Sequence, residues 1–193
     1  WAKSAPGRDL LAHEYAHVWN GKWRRPAELL TPHFNTPVRN GLLWVYEGQT
    51  EFWGHVLAAR SGLLNPAEAR DNLALTAAWL QARAGRRWRN LQDTTHEPIL
   101  AGGRWQRDWR SWQRSGDYYD EARLIWIEAD ALIRERSAGQ RSMDDFARHF
   151  FAVPAGRARN RDARPGERRG DPVRGAECRH HLGLGNVSAI PRC

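Results

Sequence analysis

Cysteine is nearly missing from this chain of 193 residues: only Cys178 and Cys193 occur, both close to the C-terminal end. Residues 1 to 153 therefore have no thiol to oxidise or to bind a metal, and any metal site there must use histidine and carboxylates. Long apolar runs are missing too. None approaches the ~20 residues that a membrane-spanning helix needs, so no membrane span is expected. Alternating strand patterns are scarce, which points to a mainly α-helical fold. Trp1 to Asp9 offer neither a charged start leading into an apolar stretch nor a small-residue cleavage site, so no secretory signal is expected there. With no initiating Met, the chain reads as a piece whose upstream part lies outside it.

Acidic residues are the scarcer charge, 22 Asp and Glu against 30 Lys and Arg, for a formal net charge of +8. Such an excess ordinarily suggests a nucleic acid or another anionic partner. Its distribution argues otherwise. Residues 154 to 193 hold nine Arg against four Asp or Glu, a net of +5, so the first 153 residues carry only +3. After Val153 the composition turns to Arg, Gly and Pro with little apolar periodicity, too poor in apolar surface to offset chain entropy. The expected organisation is a domain over 1–153 and a disordered tail over 154–193.

What is present is helical punctuation. Leu10, Leu11, Ala12, Ala16 and Val18 fit a first helix from Pro6 to about Trp19. Gly21, Pro26, Pro32 and Pro37 make Asn20 to Asn40 a long connection with one helical turn near Ala27 to Leu30. A second helix, rich in Leu, Trp and Val and so buried, is predicted from Gly41 to Ser61, ending at Gly62. Asn65, Pro66 and Glu68 supply a cap, a first-turn proline and a capping-box acid for a third helix reaching about Gly85. A polar connection follows from Arg86 to Gly116, with Trp88, Trp105, Trp109 and Trp112 expected to anchor it. A fourth helix is predicted from Tyr118 to about Ser137, and Ser142 with Asp145 caps a fifth through Phe151.

The first helix carries the chemistry. His13-Glu14-Tyr15-Ala16-His17 puts two imidazoles four residues apart, on one face, where both can meet a single ion. Zinc suits nitrogen and carboxylate ligands, and a catalytic zinc keeps one position for water. Glu14, beside the first histidine, is placed to act as general base. Glu47 falls in the mostly apolar helix segment Leu42 to Glu51, where an unpaired carboxylate would cost several kcal/mol by the usual order of desolvation penalties and a metal would remove that cost. It is the expected third ligand. Glu51, one turn later on the same face, is either a solvated charge or the acceptor that orients His13.

The string His13 to Asn20, then Arg24-Arg25-Pro26, then Leu43-Trp44-Val45-Tyr46-Glu47-Gly48, resembles the glycyl aminopeptidase family of zinc metallopeptidases, part of the thermolysin-like group. The likeness continues through Leu91 to Thr95, Trp109 to Trp112, Asp117-Tyr118-Tyr119 and Ser142 to Phe146, and so spans most of residues 8 to 153. The resemblance implies zinc ligands at His13, His17 and Glu47, a base at Glu14, and an oxyanion-stabilising phenol at Tyr119, with Tyr118 as the alternative. It also implies a helical catalytic subdomain, aminopeptidase action on short peptides with N-terminal Gly or Ala, and a periplasmic or secreted setting. The upstream β-rich part and the following PDZ-like domain of such proteins have no counterpart here. Family-like sequence stops at Val153, so the tail reads as a natural linker or, the preferred expectation, as an out-of-frame translation.

Two rival functions stand beside this one: a zinc-binding fragment without activity, and a basic nucleic-acid-binding module. Eleven Trp residues would suit stacking on bases or sugars, but most sit among apolar neighbours, so core and anchor roles are expected and no nucleic acid partner. His33, His55, His96 and His149 lack a paired partner at ligand spacing. His180-His181 with Cys178 offer metal-binding donors, but in a tail expected to be disordered no metal site is expected of them, and the Arg pairs at Arg86 and Arg168 read as solvated charge.

Overall fold

A computed structural model of the chain describes residues 7–100 and 109–152. It is helical, with no strand among the described residues. Eight α-helices follow in order: α1 (Leu10–Ala16), α2 (Leu43–Arg60), α3 (Pro66–Gln81), α4 (Leu91–Thr94), α5 (Glu97–Leu100), α6 (Arg110–Gln113), α7 (Asp117–Arg136) and α8 (Met143–Phe150). Short 3-10 turns at Ala27–Leu29 and Ala84–Arg87 lie in the connections. No described helix is long and apolar enough to cross a membrane.

α2 is the central element, with α1 packed on it from one side and α7 from another. Phe52 and Trp53 of α2 join Ala16, Trp126 and Met143 in the main core, which Phe146 and Ala147 of α8 extend. A second cluster of Ala12, Ala58, Leu64 and Ala69 closes the α1, α2 and α3 corner. Two glycines set these approaches. A Cβ built on Gly54 would stand 3.0 Å from the Cβ and 3.1 Å from the Cα of His13, so α1 rests its backbone directly on α2. At Gly48 a Cβ would overlap the Ala122 methyl and lie 3.1 Å from the Ala122 backbone, so α7 crosses there just as closely.

The caps follow the sequence. Asn65 Oδ1 accepts from the backbone N–H of Ala67 and Glu68, each at 2.9 Å, and Glu68 accepts from the Asn65 N–H at 2.9 Å. Ser142 and Asp145 form the same reciprocal box at α8. Other expectations need correction. α1 is shorter than Pro6 to Trp19 at its C-terminal end, because Val18 and Trp19 donate three residues back and tighten the chain into turns. Its buried face is Ala12, His13 and Ala16, while Leu10, Leu11, Val18 and Trp19 are exposed. Only small residues fit where two helix backbones nearly touch.

The stretch from Arg86 to Gly116 is also not plain connection: it contains α4, α5 and α6. Nor do its tryptophans anchor it, since Trp88, Trp109 and Trp112 are each more than half exposed. Trp105 lies outside the described residues, as do Pro6 and the tail. Arginines hold the segment instead, Arg83 and Arg114 buried and Arg89 partly so. Arg83 and Arg114 grip the fully buried Asp117 at 3.1 Å from either side, and Arg89 reaches Glu97 at 2.6 Å and the Gln113 carbonyl at 2.8 Å. Two of the described tryptophans, Trp53 and Trp126, are in the core as expected.

Gly48 allows a decision between two effects. In an open helix, replacing Gly by Ala stabilises by ~1 kcal/mol, whereas forcing a methyl into a closed contact costs ~1–3 kcal/mol. Gly48→Ala is expected to lower stability by ~1–2 kcal/mol in a denaturant titration. A stabilised variant would contradict the α2–α7 contact.

Candidate metal centre

α1 and α2 bring His13, His17 and Glu47 together, one ligand atom from each lying within 4.8 Å of the others. The Glu47 Oε2 atom is 3.5 Å from the Nε2 of His13 and 3.5 Å from that of His17, and the two Nε2 atoms are 3.1 Å apart. Ligands held at about 2.0–2.1 Å around tetrahedral zinc stand about 3.3–3.4 Å from one another. The three edges match one face of such a tetrahedron.

The donor set passes a second test. Glu47 Oε2 is buried and has no hydrogen-bond partner, since both imidazole nitrogens sit beyond good hydrogen-bond range. A buried carboxylate oxygen aimed at two nitrogens that it does not hydrogen-bond fits a shared cation better than a closed polar network. Two imidazoles and one carboxylate are also the donor types that zinc takes in catalytic sites. Among the described residues this is the one His, Cys, Asp and Glu group of that kind.

Each histidine is held from behind, in a different way. His17 Nδ1 lies 3.0 Å from the main-chain carbonyl of Asn20, and its ring lies against that of Tyr46 with centroids 5.1 Å apart. His13 Nδ1 faces Glu51 Oε1 at 3.2 Å, within ion-pair distance but off the line of a good hydrogen bond. The other oxygen of Glu51 faces Arg123 of α7 at 3.9 Å. Arg123 is itself buried and held by Asp9 at 3.5 Å, Asp120 at 3.3 Å and Asn72 at 3.1 Å. The local sequence explains the alignment. A four-residue spacing puts both imidazoles on the α2 side of α1, and the same spacing puts Glu47 and Glu51 on the α1 side of α2.

Glu14 is exposed, one residue past His13. Tyr119, at the start of α7, has its ring centroid 6.2 Å from that of His13, whereas Tyr118 is 2% exposed and packs against Tyr119 at 4.5 Å. Asn20, Thr50 and Arg123 are site neighbours that the sequence did not single out. The available signal was polarity at buried helical positions, Thr50 beside Gln49 on α2 and Arg123 on α7.

The electrostatics are dominated by the two glutamates. Burial opposes protonation of His13, but Glu47 and Glu51 outweigh it and raise its pKa to about 9. Burial likewise opposes a proton on His17, and Glu47 overcomes it to raise that pKa as well. Burial pushes Glu47 up, yet the paired imidazoles pull its pKa below the ordinary carboxylate value. Burial, reinforced by the Glu47 charge, raises the Tyr119 phenol and keeps its proton in place.

Two histidines one helical turn apart and a glutamate from the next helix form a candidate metal site with donor types that metallopeptidases use. The chain belongs to the M61 glycyl aminopeptidase family, whose family model matches residues 7–125, well over half of its length. No curated protein matches it.

A group whose pKa rises on folding stabilises the fold fully below its unfolded value and gives that stabilisation up as pH climbs through the raised value. The metal-free chain is therefore expected to lose the His13 contribution between its unfolded value of 6.5 and about 9. Urea midpoints across that interval should fall, and fall less in Glu51→Gln. Midpoints that rise, or an unchanged slope in the variant, would contradict the pairing.

Proposed function

We propose that the chain is the helical part of a zinc aminopeptidase that hydrolyses short peptides with small N-terminal residues, using His13, His17 and Glu47 as ligands, Glu14 as base and Tyr119 as oxyanion donor. The observation that carries this reading is the convergence of three ligand atoms with edges of 3.1, 3.5 and 3.5 Å. Family membership supplies the reaction class and the peptide substrate. The preference for N-terminal Gly or Ala rests on that membership alone.

Bound zinc supplies a Lewis acid that polarises the scissile carbonyl and lowers the pKa of water. The residues do the rest. His13 and His17 would present Nε2 to the metal, His17 with its Nδ1 hydrogen on the Asn20 carbonyl and His13 with its Nδ1 facing the Glu51 carboxylate. Glu14 takes a proton from the attacking water at a carboxylate oxygen and returns it to the departing amine nitrogen. Its exposure leaves that carboxylate reachable by water and by substrate. Tyr119, protonated and half-buried beside His13, donates its phenol hydrogen to the oxygen on which negative charge develops. Tyr118 is too enclosed for that part.

The test uses the full chain with peptides beginning in Gly or Ala. Glu14→Gln is expected to keep stoichiometric zinc and lose ~10²–10⁴ in kcat/KM. Stoichiometric zinc with no turnover by the parent chain would instead mark a zinc-binding remnant. Tyr119→Phe is expected to lower kcat by ~10²–10³ with KM little changed, and Tyr118→Phe to leave kcat near the parent value. The reverse order would assign the donor to Tyr118.

A further inference from the structure

We propose that Asn20 is a positioning residue that moors the His17 ligand arm to the helix carrying Glu47. His17 is the C-cap of α1, so it stands past the last residue of the regular helix. Beyond it the chain reverses, with the Lys22 N–H returning to the His17 carbonyl at 2.9 Å and the Asn20 N–H to the Ala16 carbonyl at 3.0 Å. Where the His17 ring points therefore depends on what holds this turn.

Asn20 holds it at both ends. Its main-chain carbonyl accepts from His17 Nδ1 at 3.0 Å, which leaves the Nε2 lone pair facing His13 and Glu47. Its side-chain amide, on a residue 6% exposed, donates to the Tyr46 carbonyl at 2.9 Å and to Thr50 Oγ1 at 3.0 Å. Tyr46 directly precedes Glu47. One residue thus ties the orientation of the second imidazole to the backbone that presents the carboxylate.

The plainer reading makes Asn20 a filler for a buried carbonyl, but Thr50 Oγ1 already donates to the Tyr46 carbonyl at 2.8 Å. That acceptor keeps a partner without Asn20. What the amide adds is location, and the effect belongs in metal affinity more than in folding. Partners behind a metal-ligating histidine typically contribute 10–100-fold in affinity.

The inference rests on the zinc reading of the site, and the two fail separately. In the full chain, zinc affinity is measured by competition with a chromophoric chelator, and ligand geometry by the d–d absorption of the cobalt-substituted protein. Asn20→Ala and Asn20→Asp remove the donors, the second without leaving a cavity. Both are expected to bind zinc about 10–100-fold more weakly and to shift the cobalt bands, with the far-UV circular dichroism of the parent. Folded variants that bind zinc within about threefold of the parent, with its cobalt spectrum, would overturn the mooring role. A parent chain that binds no zinc would sink the zinc reading itself. Should neither variant fold, Thr50→Val withdraws one acceptor more gently. A loss of about threefold or more supports the proposal, and unchanged affinity overturns it.

Discussion

The contact between the His13 backbone and Gly54 is the constraint on which the site depends. With no side chain at Gly54, α1 lies close enough on α2 for imidazoles from one helix and a carboxylate from the other to reach a common point. The tolerance is small. Metal ligation distances hold within about 0.2 Å, so a displacement of α1 by a single methyl would pull the nitrogens out of reach of a cation shared with Glu47. Gly48 repeats the device on the side of α2 that meets α7, and it brings Tyr119 and Arg123 to the same neighbourhood.

A different kind of interaction steadies the far side. Asp117, Arg83 and Arg114 are all buried at the entry to α7, where taking ions out of water costs several kcal/mol each by general estimate and only close pairing recovers it. Their pairing fixes the residue immediately before Tyr118 and Tyr119. Arg123 does similar work nearly two turns further along α7, filling the space between Asp9, Asp120 and Glu51 with a single cation. α7 is thus bound to α1 and α2 by charge as well as by the Trp126 core.

Local rules made much of this legible. His13 and His17 declare themselves by spacing as a candidate metal pair, Asn65 and Ser142 by capping chemistry, and Glu47 by being an acid in a mostly apolar segment. Features set by distant partners were not legible. Arg83 and Asp117 stand far apart in sequence, and nothing local to either says that they meet, so the burden of anchoring fell wrongly on Trp88, Trp109 and Trp112. The outward turn of Leu10, Leu11 and Val18 escaped for a related reason. Hydrophobicity ranks them as core, but the gap between α1 and α2 admits only Ala12, Ala16 and the His13 backbone. Asn20 was quoted as part of a motif, yet its bonds run to Tyr46 and Thr50 on another helix.

The two imidazoles are braced by unlike materials, one by a side-chain acid and the other by a peptide oxygen. A single codon can exchange Glu51 for an amide, an alcohol or nothing, and so alter the electron-donating strength of His13 by steps. No codon removes the oxygen behind His17. One arm of the centre is therefore open to gradual adjustment over generations, while the other keeps its acceptor for as long as the turn after α1 persists.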